Sequence, residues 1–202
     1  MKNRIDLKKI TAFGMACLLI LNSNKFVFAK TVKETFGITS GYGKSNIIVI
    51  DNYLNHISNS GGFYDAINNW NTGFNGYTKK YVLKQGSSEN YVTESDLSNS
   101  TYGVYRQLTY YPSKNWRTTA SFCILIHDDN LTTTIWDTLY GKRNWRKGTF
   151  THELGHAMSL ADLDDGEHAS GYGKKSIMSY DRDRKNLTTP QVTDFCNIGL
   201  FK

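Results

Sequence analysis

Residues 151 to 162 read THELGHAMSLAD, and within them His152 and His156 stand four apart with Glu153 beside the first. On an α-helix, residues four apart differ by about 40° around the axis, so both imidazoles leave one face and can reach a single metal ion. Glu153 is then on a suitable side to hold a water and take its proton. Six residues beyond His156, Asp162 can return to the same ion if the helix stops and the chain turns. Catalytic zinc takes three protein ligands and keeps one position open, so His152, His156 and Asp162 would complete such a set. His168 competes for the third place. The other role for Asp162 is a solvated carboxylate in the acidic patch Asp162, Asp164, Asp165 and Glu167.

A helix that presents these groups needs a buried back, and Phe150, Leu154, Ala157, Met158 and Ala161 supply one at helical spacing. Upstream, Asn46 to Asp51 contains Ile47-Ile48-Val49-Ile50, the continuous run of a strand buried on both faces. Phe63, Ala66, Ile67 and Trp70 draw one apolar stripe along a helix from about Gly62 to Trp70, ended by Gly73 and Gly76. Strand followed by helix predicts an α/β unit, with Tyr81-Val82-Leu83 as the second strand. Tyr102 to Tyr111, mixed and Tyr-rich, reads as an edge strand, and Ala120 to His127, nearly all apolar, as a central one. Thr189-Pro190 predicts a last helix, with Thr as cap, Pro at its first position, and Val192 and Phe195 on it.

The first residues have the order of a secretory signal peptide: Lys2, Arg4, Lys8 and Lys9, an apolar run from Ile10 to Leu21, then Val27-Phe28-Ala29. As a helix that run would span about 18 Å against about 30 Å of bilayer hydrocarbon, so no permanent membrane span is expected. Cleavage after Ala29 makes residues 1–29 the signal, 30–45 a short lead-in and 46–202 the catalytic domain, in a secreted protein. The lead-in contains no Cys, so no cysteine latch is expected. The formal charge of +6 is mostly targeting signal: residues 1–29 hold five Lys or Arg and one Asp, which leaves +2. Binding to nucleic acid or to an anionic membrane is not supported by that balance.

The set His152, Glu153, His156 and Asp162, followed downstream by Ser176-Ile177-Met178-Ser179-Tyr180, resembles the metzincins. Their long motif HExxHxxGxxH, or its variant ending in Asp, precedes a Met-containing turn, and the Met-Ser-Tyr portion here is similar to serralysins and astacins. The resemblance covers roughly residues 46 to 198. It implies a zincin of mixed α/β (α+β) class: a mostly parallel twisted sheet with one antiparallel edge strand as in matrixins, an active-site helix and a C-terminal helix. It also implies that Met178 underlies the metal site and that Tyr180 can reach the zinc or a developing oxyanion. Ser159 stands where the family has Gly in a left-handed turn, at a cost on the order of 1 kcal/mol. Asp162 in place of the commoner His, as in the snapalysin-like branch, implies a slightly weaker Lewis acid. The loop Asp181 to Leu187 is implied as the wall of the pocket just beyond the scissile bond. A gluzincin is disfavoured, since no Glu follows Glu167.

The function expected on these residues is that of a zinc endopeptidase, monomeric, with a protein or peptide substrate and Glu153 as general base. The rivals are a secreted binding protein on the same scaffold and a zinc hydrolase of small peptides or cell-wall material. Calcium is a candidate at His127-Asp128-Asp129-Asn130 and at Asp164-Asp165-Gly166-Glu167, neither of which has full calcium-loop spacing. Cys123 and Cys196 form either a disulfide or two buried, inert thiols, and Cys17 leaves with the signal.

Overall fold

The computed structural model describes residues 42, 45–55, 57–73, 81–97, 101–111, 118–127, 139–163, 176–179, 182 and 186–200; the side chains at 57, 58, 139–143, 196, 199 and 200 are outside the description. The signal segment lies outside the described residues. Among those residues no helix is long and apolar enough to cross a membrane.

The described residues form five strands and three helices in the order β1 (Ile47–Tyr53), α1 (Ile57–Gly73), β2 (Val82–Gln85), β3 (Tyr91–Glu94), β4 (Gly103–Tyr110), β5 (Thr119–Ile126), α2 (Leu139–Ala157) and α3 (Val192–Leu200). The strands form one sheet in the order β2-β1-β3-β5-β4. All neighbours are parallel except β4, which runs antiparallel along β5 and forms one edge. The expected mixed α/β class, parallel sheet and antiparallel edge are therefore present.

Alternation decides what the sheet buries. Ile48 and Ile50 are inaccessible, as are Val92, Phe122, Ile124 and Ile126, and they meet Phe63, Ala66 and Trp70 of α1 and Phe150 and Leu154 of α2 in one core. The expectation that β1 is buried on both faces fails: Ile47 is 46% exposed, because the core takes only alternate residues of this strand. In β5 that expectation holds, with every residue from Ser121 to Ile126 buried.

Several boundaries differ from the sequence reading. Helix α1 starts at Ile57, five residues before Gly62, through a Ser-Gly-Gly stretch of poor helix propensity. Packing overrides that propensity there, with Asn59 fully buried and its Nδ2 donating to Glu94 Oε1 at 2.7 Å. Strand β3 has no counterpart in the reading; it is four residues long with a single core side chain, Val92. Asn90 prepares its place, since its side chain donates to Val49 O at 3.0 Å and accepts from Phe122 N at 3.2 Å. One amide thus joins β1 to β5 just before β3 begins.

Helix α3 starts at Val192, two residues later than predicted, because Asp194 caps it in place of Thr189. Its carboxylate reaches back to Gln191 N at 2.7 Å, the third-position half of a capping box. Val192 is 53% exposed, while Phe195 packs edge-on against Trp70. Cys123 is a free, buried thiol in contact with the Tyr91 hydroxyl, and the Cys196 side chain lies outside the described residues.

Candidate metal centre

Helix α2 carries His152, Glu153 and His156 into the interior, backed by Phe150, Leu154 and Ala157, all fully buried. It ends at Ala157, so Ala161, expected on its back, lies beyond it and is half-buried. The helix closes on a left-handed residue. Ser159 has φ 74°, the Ser159 N–H donates to His156 O at 3.0 Å, and the Leu160 N–H donates to Gly155 O at 3.1 Å. These are the two crossed bonds of a Schellman cap, with serine where glycine is usual. The expected left-handed turn is present at the expected residue.

The reversal returns Asp162 to the helix. Its Oδ1 lies 2.9 Å from His152 Nε2 and 3.5 Å from His156 Nε2, and one donor atom from each of the three residues falls within 4.8 Å of the others. Four-coordinate zinc with bonds of about 2.0–2.1 Å separates its ligands by about 3.3 Å, so these spacings bracket what such an ion needs. Two imidazole nitrogens and a carboxylate oxygen are also a donor set that zinc accepts, and the three residues could hold a metal ion. The rings of His152 and His156 stand nearly perpendicular, with centroids 4.9 Å apart.

Each imidazole is fixed from behind. His156 Nδ1 lies 2.8 Å from Leu160 O, an acceptor, so it carries the proton and leaves Nε2 bare. His152 Nδ1 lies 3.0 Å from Ile177 O and 3.2 Å from Arg182 Nη1. Burial pushes the His152 pKa down; the neighbouring carboxylates of Asp162 and Glu153 oppose this, while Arg182 and His156 push it further down. The balance keeps this ring neutral at neutral pH.

Beneath the helix, Ser176 to Ser179 form a turn in which Met178 is fully inaccessible. Met178 packs so tightly under Gly155 that a Cβ there would overlap its sulfur. Asp194 secures the turn to α3, accepting from Ser176 Oγ at 2.5 Å and Ile177 N at 3.1 Å. Complete burial raises the Asp194 pKa to about 6 despite these bonds. On the other side, Gly103 opens the edge strand β4 directly over Glu153, where a Cβ would come within 2.9 Å of Glu153 Oε1. The buried general-base candidate therefore faces the start of the exposed edge.

Tyr180, His168 and both calcium candidates, apart from His127 itself, lie outside the described residues. His127 is buried, and its N–H donates to Tyr102 O. Arg182, expected in the pocket wall, is 4% exposed; its Nη1 donates to Ser179 O at 2.8 Å and lies behind His152. Asp194 and Gly103 are residues of this site that sequence reading does not single out, and it places Arg182 only in the pocket wall, not behind His152. Only Gly103, a glycine opening a Tyr-rich strand, carried a signal of close approach.

No family model and no curated protein matches the sequence. Among solved structures, a chain of the GM1 bound form of the ECX AB5 holotoxin is similar over 84% of this chain and 90% of its own, at 14% identity and a TM-score of 0.50. Myroilysin is similar over 81% of this chain and 96% of its own, at 12% identity and a TM-score of 0.48. At these identities the likeness concerns the fold alone.

Proposed function

We propose that the chain is a secreted zinc-dependent endopeptidase, with zinc held by His152, His156 and Asp162 and with Glu153 as general base. One observation carries the reading: three donor atoms converge at ligand spacing while the carboxylate of the residue next to the first donor faces the start of edge strand β4. When bound, zinc supplies Lewis acidity toward a carbonyl and toward water. Glu153 takes the proton of the attacking water and returns it to the departing amine. Strand β4 ends the sheet among the described residues, and an extended peptide that added there as a further strand would draw much of its affinity from the backbone. The Met178 turn, secured by Asp194, holds the helix face rigid below the donors. Tyr180, next to that turn, is the proposed aid to the oxyanion.

Two histidines and one carboxylate also suit ferrous iron. Zinc is favoured because a base at the position next to the first ligand serves hydrolysis and has no task in oxygen chemistry. The test uses purified protein on a denatured protein substrate. Cleavage should stop with a chelator and return with zinc but not with iron, and Glu153→Ala should keep its zinc and lose nearly all turnover. Cleavage that survives chelation, or a Glu153→Ala variant of full activity, refutes the proposal.

A further inference from the structure

The carbonyls of the last turn of α2 all have partners, and one of those partners comes from far away. Leu154 O accepts from the Met158 N–H at 3.3 Å, Gly155 O from Met158 and Leu160 at 3.0 and 3.1 Å, and His156 O from Ser159 at 3.0 Å. Ala157 O, the last of them, accepts at 2.8 Å from the N–H of Tyr42, in the lead-in before β1. Tyr42 is itself fixed: its backbone forms a parallel bridge with Thr119 at the start of β5, it is 8% exposed, and its ring stands edge-on to Phe122 with centroids 5.9 Å apart. Phe122 passes the contact on. The Tyr105 ring lies 5.2 Å from Phe122 and 6.0 Å from the His156 ring, and its hydroxyl donates to Thr119 Oγ1 at 3.3 Å. Tyr42 therefore reaches the metal centre by two routes, one through the backbone at Ala157 and one through packed rings.

We infer that Tyr42 is a positioning residue of the metal site, which holds the last turn of α2 so that His156 and the reversal to Asp162 keep ligand spacing. A helix end whose last carbonyl loses its partner opens more readily than the helix interior. His156 stands next to that end, whereas His152 lies a full turn inside it. Loosening of the end thus displaces His156 directly and Asp162 through the reversal. The far end of the reversal is held separately, by the Leu163 N–H on Met178 O at 3.0 Å, so Tyr42 and the Met178 turn secure the two ends of one segment. The inference rests on the proposed metal site, and it assigns the lead-in a part in that site.

Three variants of the purified protein separate the two routes. Tyr42→Phe keeps the ring and the N–H, Tyr42→Ala keeps only the N–H, and Tyr42→Pro keeps neither. Zinc titration of the folded proteins should give wild-type affinity for Tyr42→Phe, a loss of about tenfold for Tyr42→Ala and of about 100-fold for Tyr42→Pro, the range for partners that orient a ligand from outside. In the metal-free proteins, amide hydrogen exchange at Ser159 and Leu160 should be about tenfold faster in Tyr42→Pro than in wild type, with the amides of β5 unchanged. Should Tyr42→Pro fail to fold, the affinity of Tyr42→Ala decides. Variants that melt earlier yet bind zinc like wild type show a merely structural role and overturn the inference, and so does a Tyr42→Phe variant as weak as Tyr42→Ala. If wild type binds no zinc, the metal reading falls instead, and unchanged exchange at Ser159 and Leu160 would then show that Tyr42 does not hold the helix end.

Discussion

Gly155→Ala sets two effects of opposite sign against each other. Replacing a helical glycine by alanine stabilises a helix by about 1 kcal/mol through backbone entropy. At Gly155 the added Cβ overlaps the Met178 sulfur and lies 3.2 Å from its Cε and 3.5 Å from Trp70 Cζ2. The sulfur is the middle of the side chain, not a free end, and both Met178 and Trp70 are completely enclosed, so neither can swing away. Overpacking of this kind costs about 1–3 kcal/mol, and the absence of an escape route selects the upper end. The net expectation is a loss of about 2 kcal/mol, or about 4–8 °C in melting temperature for a domain of this size. Urea denaturation of the chelator-treated protein measures it without contribution from bound metal. In a Met178→Ala background the same substitution should cost little, because the new methyl then fills part of the space left, so the pair should show a coupling of about 2 kcal/mol. Unchanged or increased stability in Gly155→Ala would refute the packing of Met178 beneath the ligand helix.

Gly103→Ala would push Glu153 aside, since its Cβ comes within 2.9 Å of Oε1 and 2.7 Å of Thr149 Cγ2; peptide turnover should fall about 100-fold with zinc affinity unchanged, read by a zinc titration beside the assay. Asp162→Ala should weaken zinc by more than about 100-fold, beyond the loss of an outer partner, while His168→Ala leaves the titration near wild type; the reverse ranking moves the third ligand. Asp194, whose pKa rises from 3.8 to about 6 on folding, prefers the folded state when protonated. Its contribution is fully present below pH 3.8 and lost as pH rises through about 6, about 3 kcal/mol in all. Asp194→Asn should remove that part of the slope between pH 4 and 6.5 in metal-free denaturation, and an unaltered slope would show that another group produces it.

What the sequence made legible was local. The ligand helix could be read because the 3.6-residue period of Phe150, Leu154 and Ala157 agrees with the four-residue spacing of the histidines, and β5 because six buried residues in a row leave little else to be. The four residues of β3 give no period, and their central place comes from Asn90 and the neighbours on either side. Arg182 meets His152 across 30 positions, and Asp194 meets Ser176 across 18. Such pairs leave no mark on composition or periodicity, since either residue alone reads as an ordinary surface charge.

Ser159 joins the two levels. As a non-glycine residue at φ 74° it costs on the order of 1 kcal/mol. The crossed cap bonds and the burial of Leu160 and Leu163 offset that cost. Its side chain has a use that glycine could not supply, a hydrogen bond with the Tyr81 hydroxyl ahead of β2, which ties the reversal to the sheet. The same reversal sets two separate properties of the site. It carries Asp162 back to within 2.9 Å of His152, and it points Leu160 O at His156 Nδ1, so the third donor and the tautomer of the second are fixed by one backbone event. A looser chain end after α2 would lose both together, and a serine held in an unfavourable conformation by cap, core and sheet is the arrangement that keeps them coupled.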